Sequence, residues 1–229
     1  AGVVRLGNIK PAAPEVEEAT PDITDKGGDN LDKKSFADFG VTDPIVDALE
    51  DKGITHPFPI QALTLGPALD RHDIIGQAKT GTGKTLGFGI PVLEDVIAPD
   101  EEGYEDLLNP NQPQALIILP TRELTKQVAQ DLRDAAKYLS TRIVEIYGGV
   151  AFEPQIEALQ RGADIVVGTP GRLIDLLRKG HLHLSGVETV VLDEADEMLD
   201  LGFLPDVETL LARVPENRHT MLFSATMPG

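Results

Sequence analysis

Six short apolar runs, most of them followed by a turn and then by a helical pattern, constrain the fold of this chain more than any other feature. Runs of Ile, Val and Leu without polar alternation are typical of strands that are covered on both faces. The repeated order of strand, turn and helix predicts an α/β fold with a mostly parallel central sheet and helices on both faces. The runs occupy residues 74–75, 115–119, 143–146, 165–167, 190–192 and 221–223.

The segments outside these runs indicate where the domain begins and where it is interrupted. Residues 1–34 mix Pro, Gly, Ala and charged residues without an apolar period, which predicts a disordered acidic tail before one domain at 35–229. Asp43-Pro44 is typical of a helix start, and the apolar spacing after Thr121 predicts a second helix. Residues 98–114 are acidic and contain Asn-Pro and Gln-Pro, which predicts a flexible insertion.

A glycine-rich segment after the first run has the pattern of a phosphate-binding loop. Its glycines let backbone N–H groups turn inward around phosphate oxygens, and the helix that follows offers its positive end. Lys84 is expected to reach the β and γ phosphates of a nucleotide, and Thr85 to bind Mg²⁺. This is a Walker A loop in which Ala78 replaces the first glycine of the general pattern. The predicted nucleotide-binding residues are Ala78, Lys79, Thr80, Gly81, Thr82, Gly83, Lys84 and Thr85.

Two acids follow the apolar run at 190–192 directly. In a parallel sheet, ligands bind beyond the carboxyl ends of the strands, so Asp193 and Glu194 are expected near the phosphate loop. Asp193 is predicted to hold Mg²⁺, and Glu194 to polarise the water that attacks the γ phosphate. Lys84, Asp193 and Glu194 are therefore the candidate catalytic residues.

Together these motifs resemble the DEAD-box RNA helicase family, whose tetrapeptide stands unaltered at 193–196. The likeness covers residues 36–229, about the first of that family's two RecA-like domains. Residues 53–61 resemble the adenine-recognition motif, and Phe36 lies 17 residues before Gly53. The resemblance implies that Gln61 bonds the adenine edge and that Phe36 stacks on its ring. Phe58 stands where the family commonly has threonine.

The resemblance also assigns residues to RNA and to coupling. Motifs after three consecutive runs place N–H groups, a hydroxyl or an arginine where phosphate oxygens could bind, which implies sequence-independent contact with single-stranded RNA. The candidate RNA-binding residues are Pro120, Thr121, Arg122, Gly149, Thr169 and Arg172. The family's coupling of hydrolysis to strand separation implies contact between Asp196 and the motif that contains Ser224 and Thr226.

A second RecA-like domain is expected in the parent protein. In the family that domain supplies the arginines that stabilise the transferring phosphate, which are worth about 10³- to 10⁵-fold in rate. The resemblance therefore implies that the parent uses ATP and Mg²⁺ to separate short RNA duplexes locally. The chain by itself is expected to bind nucleotide weakly and to hydrolyse almost none.

Composition limits the classes of protein to which this sequence can belong. No apolar stretch approaches the roughly 18 residues of a membrane span, and the absence of cysteine suits a cytoplasmic protein. No signal peptide is visible, and the start at Ala1 rather than methionine indicates a chain that is processed or cut from something longer. The net charge of −18 does not exclude RNA, because acidic clusters lie in the tail and the insertion, away from the predicted sites.

Two other functions fit the same motifs. A nucleotide-dependent clamp that grips RNA or a protein would need the same loop and acids, and RNA-stimulated phosphate release by the full-length protein would distinguish it from a helicase. A P-loop ATPase that acts on DNA is the third reading, which a comparison of matched RNA and DNA would test. The sequence carries no signal for oligomeric state.

Overall fold

A computed structural model of the chain describes residues 34–79 and 83–226. Within these residues, six strands form one sheet in the order β1-β6-β5-β2-β4-β3, and every neighbouring pair is parallel. Each of the six apolar runs lies in or at the end of a strand, so the predicted parallel sheet is confirmed. The strands are β1 (Ile74–Gln77), β2 (Ala115–Ile118), β3 (Ile143–Ile146), β4 (Ile165–Gly168), β5 (Thr189–Leu192) and β6 (His219–Ser224).

Helices connect these strands. Single turns of 3₁₀ helix occur at Ala37–Phe39 and Tyr104–Asp106. No helix in the described part of the chain is long and apolar enough to cross a membrane. The α-helices are α1 (Asp43–Asp51), α2 (Pro59–Leu69), α3 (Lys84–Asp95), α4 (Arg122–Ala135), α5 (Glu153–Arg161), α6 (Pro170–Arg178), α7 (Ala195–Asp200) and α8 (Leu204–Leu211).

The core has two layers, one on each face of the sheet. Alternate residues of β2 point to opposite layers, since Ile117 packs in one cluster and Leu116 in the other. Helices α1 to α4 supply apolar side chains to the first cluster, and α5 to α8 supply the second. The prediction of helices on both faces is therefore confirmed, and the carboxyl ends of all six strands lie at one edge between the two layers.

Two segments differ in how far the structure describes them. Residues 1–33 of the predicted tail lie outside the described residues, so the tail remains a prediction. The 98–114 segment has specific contacts: the Gln114 side chain bonds both the N–H and the carbonyl oxygen of Ile97, and Arg142 donates to the Tyr104 hydroxyl at 2.8 Å. This segment is therefore bonded to the rest of the domain. The prediction of a flexible insertion did not include these contacts.

Gly168 provides a test of the sheet packing. A Cβ at this position would lie 2.7 Å from the carbonyl oxygen of Ile146 on the neighbouring strand. We expect Gly168→Ala to lower the free energy of unfolding by about 1–3 kcal/mol, because backbone must move to admit the methyl group. The control is Gly171→Ala, where a Cβ meets nothing within 4 Å. Urea denaturation of both variants measures the effect, and unchanged stability of Gly168→Ala would contradict this packing.

Candidate functional site

One lysine and two carboxylates meet in a buried cluster at the carboxyl edge of the sheet. Lys84 Nζ lies 2.6 Å from Glu194 Oε1 and 3.0 Å from Asp193 Oδ1. The three side chains are between 2% and 5% exposed. The structure thus brings together the start of α3, which follows the phosphate loop, and the acids that follow β5, as the sequence predicts.

Local backbone geometry aims these side chains at each other. Gly83 adopts the left-handed conformation, with φ 79°, directly before α3 begins at Lys84. Glu194 is also left-handed, with φ 55° and ψ 46°, a conformation that costs a residue with a side chain roughly 1–2 kcal/mol. The Asp193 carboxylate accepts the Glu194 N–H at 3.0 Å and stabilises this turn. Strain of this kind is concentrated at functional sites, where the surrounding structure maintains it.

Burial and pairing act in opposite directions on the charges of this cluster. Burial raises the pKa of Asp193 to about 6, although Lys84 opposes the shift. Burial also works against the charge on Lys84, but the two carboxylates outweigh it and raise the lysine pKa above its usual value. Above pH 6 the cluster therefore holds the opposite charges of Lys84 and Asp193 almost out of water. A ligand that displaces the lysine must bring positive charge for the acids.

Gln61 links the adenine-recognition segment to the phosphate loop. Its side chain is 1% exposed. Its Nε2 donates to the Gly83 carbonyl oxygen at 2.6 Å, and its Oε1 accepts the Phe58 N–H at 2.9 Å. The segment therefore lies against the loop, although the loop residues Thr80, Gly81 and Thr82 fall outside the described residues.

A cavity of about 270 Å³ opens beside these residues. Phe58, Gln61, Gly83, Lys84, Thr85 and both acids line it, together with one side of α4. The α4 residues Gln127 and Asp131 were not predicted, because only the packing of α4 beside α3 brings them there. Ala78 is buried at the end of β1, and its N–H donates to the Ser224 carbonyl oxygen at 3.0 Å, whereas Lys79 is exposed.

Phe36 is buried in this structure. Its ring is 1% exposed and packs in the core cluster beneath α1 to α4. Phe36 is not among the residues that line the cavity, and its assignment to the nucleotide remains a prediction. The aromatic side chain that lines the cavity is Phe58, which is 58% exposed.

The candidate RNA residues follow β2, β3 and β4, which form one end of the sheet. Arg122 is exposed, and its guanidinium lies 5.0 Å from the Tyr147 ring centroid, with Lys126 at 5.6 Å from the same ring. Gly149 is exposed with φ 78°. Thr121 caps α4 by accepting the Leu124 N–H at 3.2 Å. Pro120 is buried, and Thr169 is half-buried as the residue before α6.

Arg172, another residue of this group, is bonded within the protein. Its side chain donates to Gln155 Oε1 at 3.1 Å and to the Val150 carbonyl oxygen at 2.8 Å. Its guanidinium also lies 3.9 Å from the Phe152 ring centroid, and the residue is 8% exposed. This arginine therefore holds the 150–155 segment beside Gly149, and its contact with RNA remains a prediction.

The predicted contact between the acidic tetrapeptide and the last strand is present. Asp196 accepts the Thr226 N–H at 3.2 Å and the Thr226 hydroxyl at 3.1 Å, and the Ser224 hydroxyl donates to the Thr226 carbonyl oxygen. Burial opposes ionisation of Asp196, but these hydrogen bonds outweigh it and lower its pKa. The end of β6 and the start of α7 are thus directly bonded.

Comparisons with known proteins agree with this architecture. The sequence model of the DEAD/DEAH box helicase family matches residues 58–229. The chain is 41% identical to a DEAD box protein from Methanococcus jannaschii whose crystal structure superposes with a TM-score of 0.76, covering 85% of this chain and 50% of that one. This likeness confirms the RecA-like fold expected from the sequence.

Curated relatives are similar over most of this chain. It is 50% identical over 202 residues to the DEAD-box ATP-dependent RNA helicase 3B, chloroplastic, of Zea mays, covering 88% of this chain and 26% of that protein. It is 46% identical over 195 residues to the ATP-dependent RNA helicase DeaD of Escherichia coli K12, covering 85% of this chain and 29% of that protein. The chain thus spans between a quarter and a third of the length of these relatives. Since one of them is chloroplastic, a cytoplasmic location remains a prediction.

The raised pKa of Asp193 predicts a pH-dependent stability. As the pH falls, the folded chain takes up a proton at Asp193 near pH 6, before the unfolded chain does near 3.8, so this site adds stability on acidification. Asp193→Asn lacks that gain. The quantity to compare is the free energy of unfolding of the original chain minus that of Asp193→Asn. We expect this difference to rise by about 1 kcal/mol when the pH is lowered from about 7.5 to about 5.

Urea denaturation at both pH values measures this difference. The exposed Asp200 provides the control, because Asp200→Asn makes the same substitution at the protein surface and removes no buried carboxyl group. A constant or opposite trend for Asp193→Asn would contradict the burial of an ionisable carboxyl at this position.

Proposed function

Because the chain belongs to the DEAD/DEAH box helicase family, we propose that it is the nucleotide-binding and RNA-binding portion of an ATP-dependent RNA helicase. The observation that carries this proposal is the buried contact of Lys84 with Asp193 and Glu194. It supports a site that holds the phosphates of a nucleotide and a divalent cation side by side. The parent protein would hydrolyse ATP and separate short RNA duplexes.

The triphosphate would replace the carboxylates as the partner of Lys84. Phosphate oxygens carry negative charge and accept the same N–H donors, and the start of α3 directs backbone N–H groups toward them. Lys84 lies in the first turn of α3, so a change of side-chain conformation is enough to move its Nζ from Glu194 toward the β and γ phosphates. Ala78, Lys79 and Gly83 would complete the described part of this loop.

The residues present suit Mg²⁺. Asp193 and the Thr85 hydroxyl offer the hard oxygen ligands that this ion prefers, and both residues line the same cavity. Within the described residues, no group of three His, Asp or Glu side chains could hold a metal. The ion would therefore take its remaining ligands from phosphate and water, and would neutralise charge on the transferring phosphate.

Glu194 would act on the attacking water. Its left-handed backbone directs the carboxylate into the cluster, and after Lys84 has moved to the phosphates this carboxylate would accept a proton from water. That water would attack the γ phosphorus as the bond to the β-phosphate oxygen breaks. Arginines of a second RecA-like domain would stabilise the transition state, which is why this chain without that domain is expected to turn over little ATP.

Gln61 would select adenine. Both ends of its amide are already bonded, but Oε1 retains a second lone pair and Nε2 a second hydrogen. The adenine edge offers a donor at N6 and an acceptor at N7, which match these remaining groups. Guanine offers two acceptors on the corresponding edge and would leave Oε1 without a donor.

RNA would bind along the ends of β2, β4 and β3. Exposed Arg122 and the exposed glycines before Val150 suit phosphate oxygens, with Pro120, Thr121 and Thr169 shaping the adjoining backbone. Arg172 would act indirectly by fixing the segment beside Gly149. Coupling to hydrolysis would pass through Asp196, Ser224 and Thr226, which join the acidic tetrapeptide to β6.

Glu194→Gln tests the role of the carboxylate in the full-length parent protein. We expect RNA-stimulated ATP hydrolysis to fall by at least about 100-fold, because a positioned general base contributes roughly that much, while ATP binding is retained. Phosphate release and nucleotide binding are measured separately. Glu197→Gln, one turn further along α7, is the matched control and should hydrolyse ATP normally. Undiminished turnover in Glu194→Gln would remove Glu194 from this role.

Gln61→Ala tests base selection. We expect the preference for ATP over GTP, measured as the ratio of their dissociation constants, to fall by about tenfold, which corresponds to one lost bidentate contact. The variant should also bind inorganic tripolyphosphate as the original chain does, provided that the loop keeps its shape. An unchanged preference would contradict the adenine assignment.

A further inference from the structure

Phe58 has an unusual environment for a large apolar side chain. It is 58% exposed although apolar side chains of this size usually pack in a core. It is the residue immediately before α2, with an extended backbone at φ −67° and ψ 161°. Its N–H is held by Gln61 at 2.9 Å. The backbone that carries the ring is therefore fixed while much of the ring remains open to solvent.

The ring lies against the phosphate loop. A Cβ placed on Gly83 would be 2.7 Å from Phe58 Cδ2 and 3.0 Å from Gln61 Nε2. Phe58 and Gln61 thus approach the same point of the loop, and both line the cavity that also contains Lys84 and the two acids. Any base that reaches the Gln61 amide comes within reach of the Phe58 ring.

We propose that Phe58 stacks on the base of the bound nucleotide. The inference rests on the proposed function, because it requires the triphosphate to lie at the loop and the base at Gln61. A base covers apolar ring surface that is otherwise in water, and aromatic stacking tolerates any base because every base has a π face. Phe58 then contributes affinity for nucleotides in general, whereas Gln61 contributes the choice among them.

A second explanation of the same geometry is that Phe58 only supports the phosphate loop. The close approach to Gly83 would then hold the loop in a conformation suited to phosphate, and the ring would make no contact with the base. The two explanations differ in one respect. A stacking ring affects ligands that have a base, while a supporting ring affects every ligand that has phosphates.

Two ligands and two variants separate these explanations. Calorimetry with Mg²⁺ present gives the dissociation constants of ATP and of inorganic tripolyphosphate for the 229-residue chain and for Phe58→Leu, which keeps an apolar side chain without a π face. Leu63→Ala is the control, because Leu63 is an exposed apolar residue of α2 that does not line the cavity. It should bind both ligands like the original chain.

The second variant, Phe58→Trp, introduces a fluorescent reporter into a chain that has no tryptophan. We expect Phe58→Leu to bind ATP about tenfold more weakly, within the range for one base on one aromatic ring, and tripolyphosphate within twofold of the original chain. Phe58→Trp should bind ATP at least as tightly as the original chain. Its emission should change on addition of ATP and not on addition of tripolyphosphate.

Three outcomes would overturn the proposal. Equal weakening of both ligands in Phe58→Leu would assign the ring to loop support. Unchanged ATP affinity in Phe58→Leu, or tryptophan emission of Phe58→Trp that does not change on addition of ATP, would show that the base lies elsewhere. The proposed phosphate site would be unaffected by that result. Failure of the original chain to bind either ligand would contradict the proposed function itself, and the stacking contact with it.

Discussion

The buried ion cluster of Lys84, Asp193 and Glu194 is the constraint on which the account depends. Lys84 Nζ lies within 3.0 Å of an oxygen of each carboxyl group, and all three side chains are almost out of water. Removing one partner of a buried pair typically costs about 3–5 kcal/mol. A ligand that draws Lys84 away must therefore bring a negative group for the lysine and a positive one for the acids. A magnesium nucleotide supplies both at once, which gives a physical reason for the two to bind together.

The order of the strands determines where each group of functional residues lies along the carboxyl edge of the sheet. Strands β1 and β5 deliver the phosphate loop and the acids, and β6 lies between them. Thr226, just after β6, bonds Asp196 at the start of α7. The candidate RNA residues follow β2, β4 and β3, on the other side of β5. A movement of the acidic residues after β5 can therefore reach β6 through the hydrogen bonds between Asp196 and Thr226. It can also reach the candidate RNA residues through β2, the strand next to β5.

Sequence reasoning predicted the elements whose signal is local. Apolar runs identified all six strands. Motif spacing placed Lys84, Asp193, Glu194 and Asp196 near the carboxyl edge, because each lies within seven residues after a strand end. It could not predict contacts that depend on packing. Spacing could not show that Phe36 is enclosed by the core or that Arg172 is taken up by Gln155 and Val150. It also missed polar strand residues such as His219, whose partners come from distant parts of the chain.

The most direct test is a crystal structure of this chain with Mg²⁺ and a non-hydrolysable ATP analogue. The account predicts Lys84 Nζ within about 3 Å of a phosphate oxygen, a typical charge-assisted distance, and no longer in contact with Glu194. It also predicts the metal beside Asp193. A nucleotide bound elsewhere, or a Lys84 still paired with both carboxylates while the analogue is bound, would contradict the central claim.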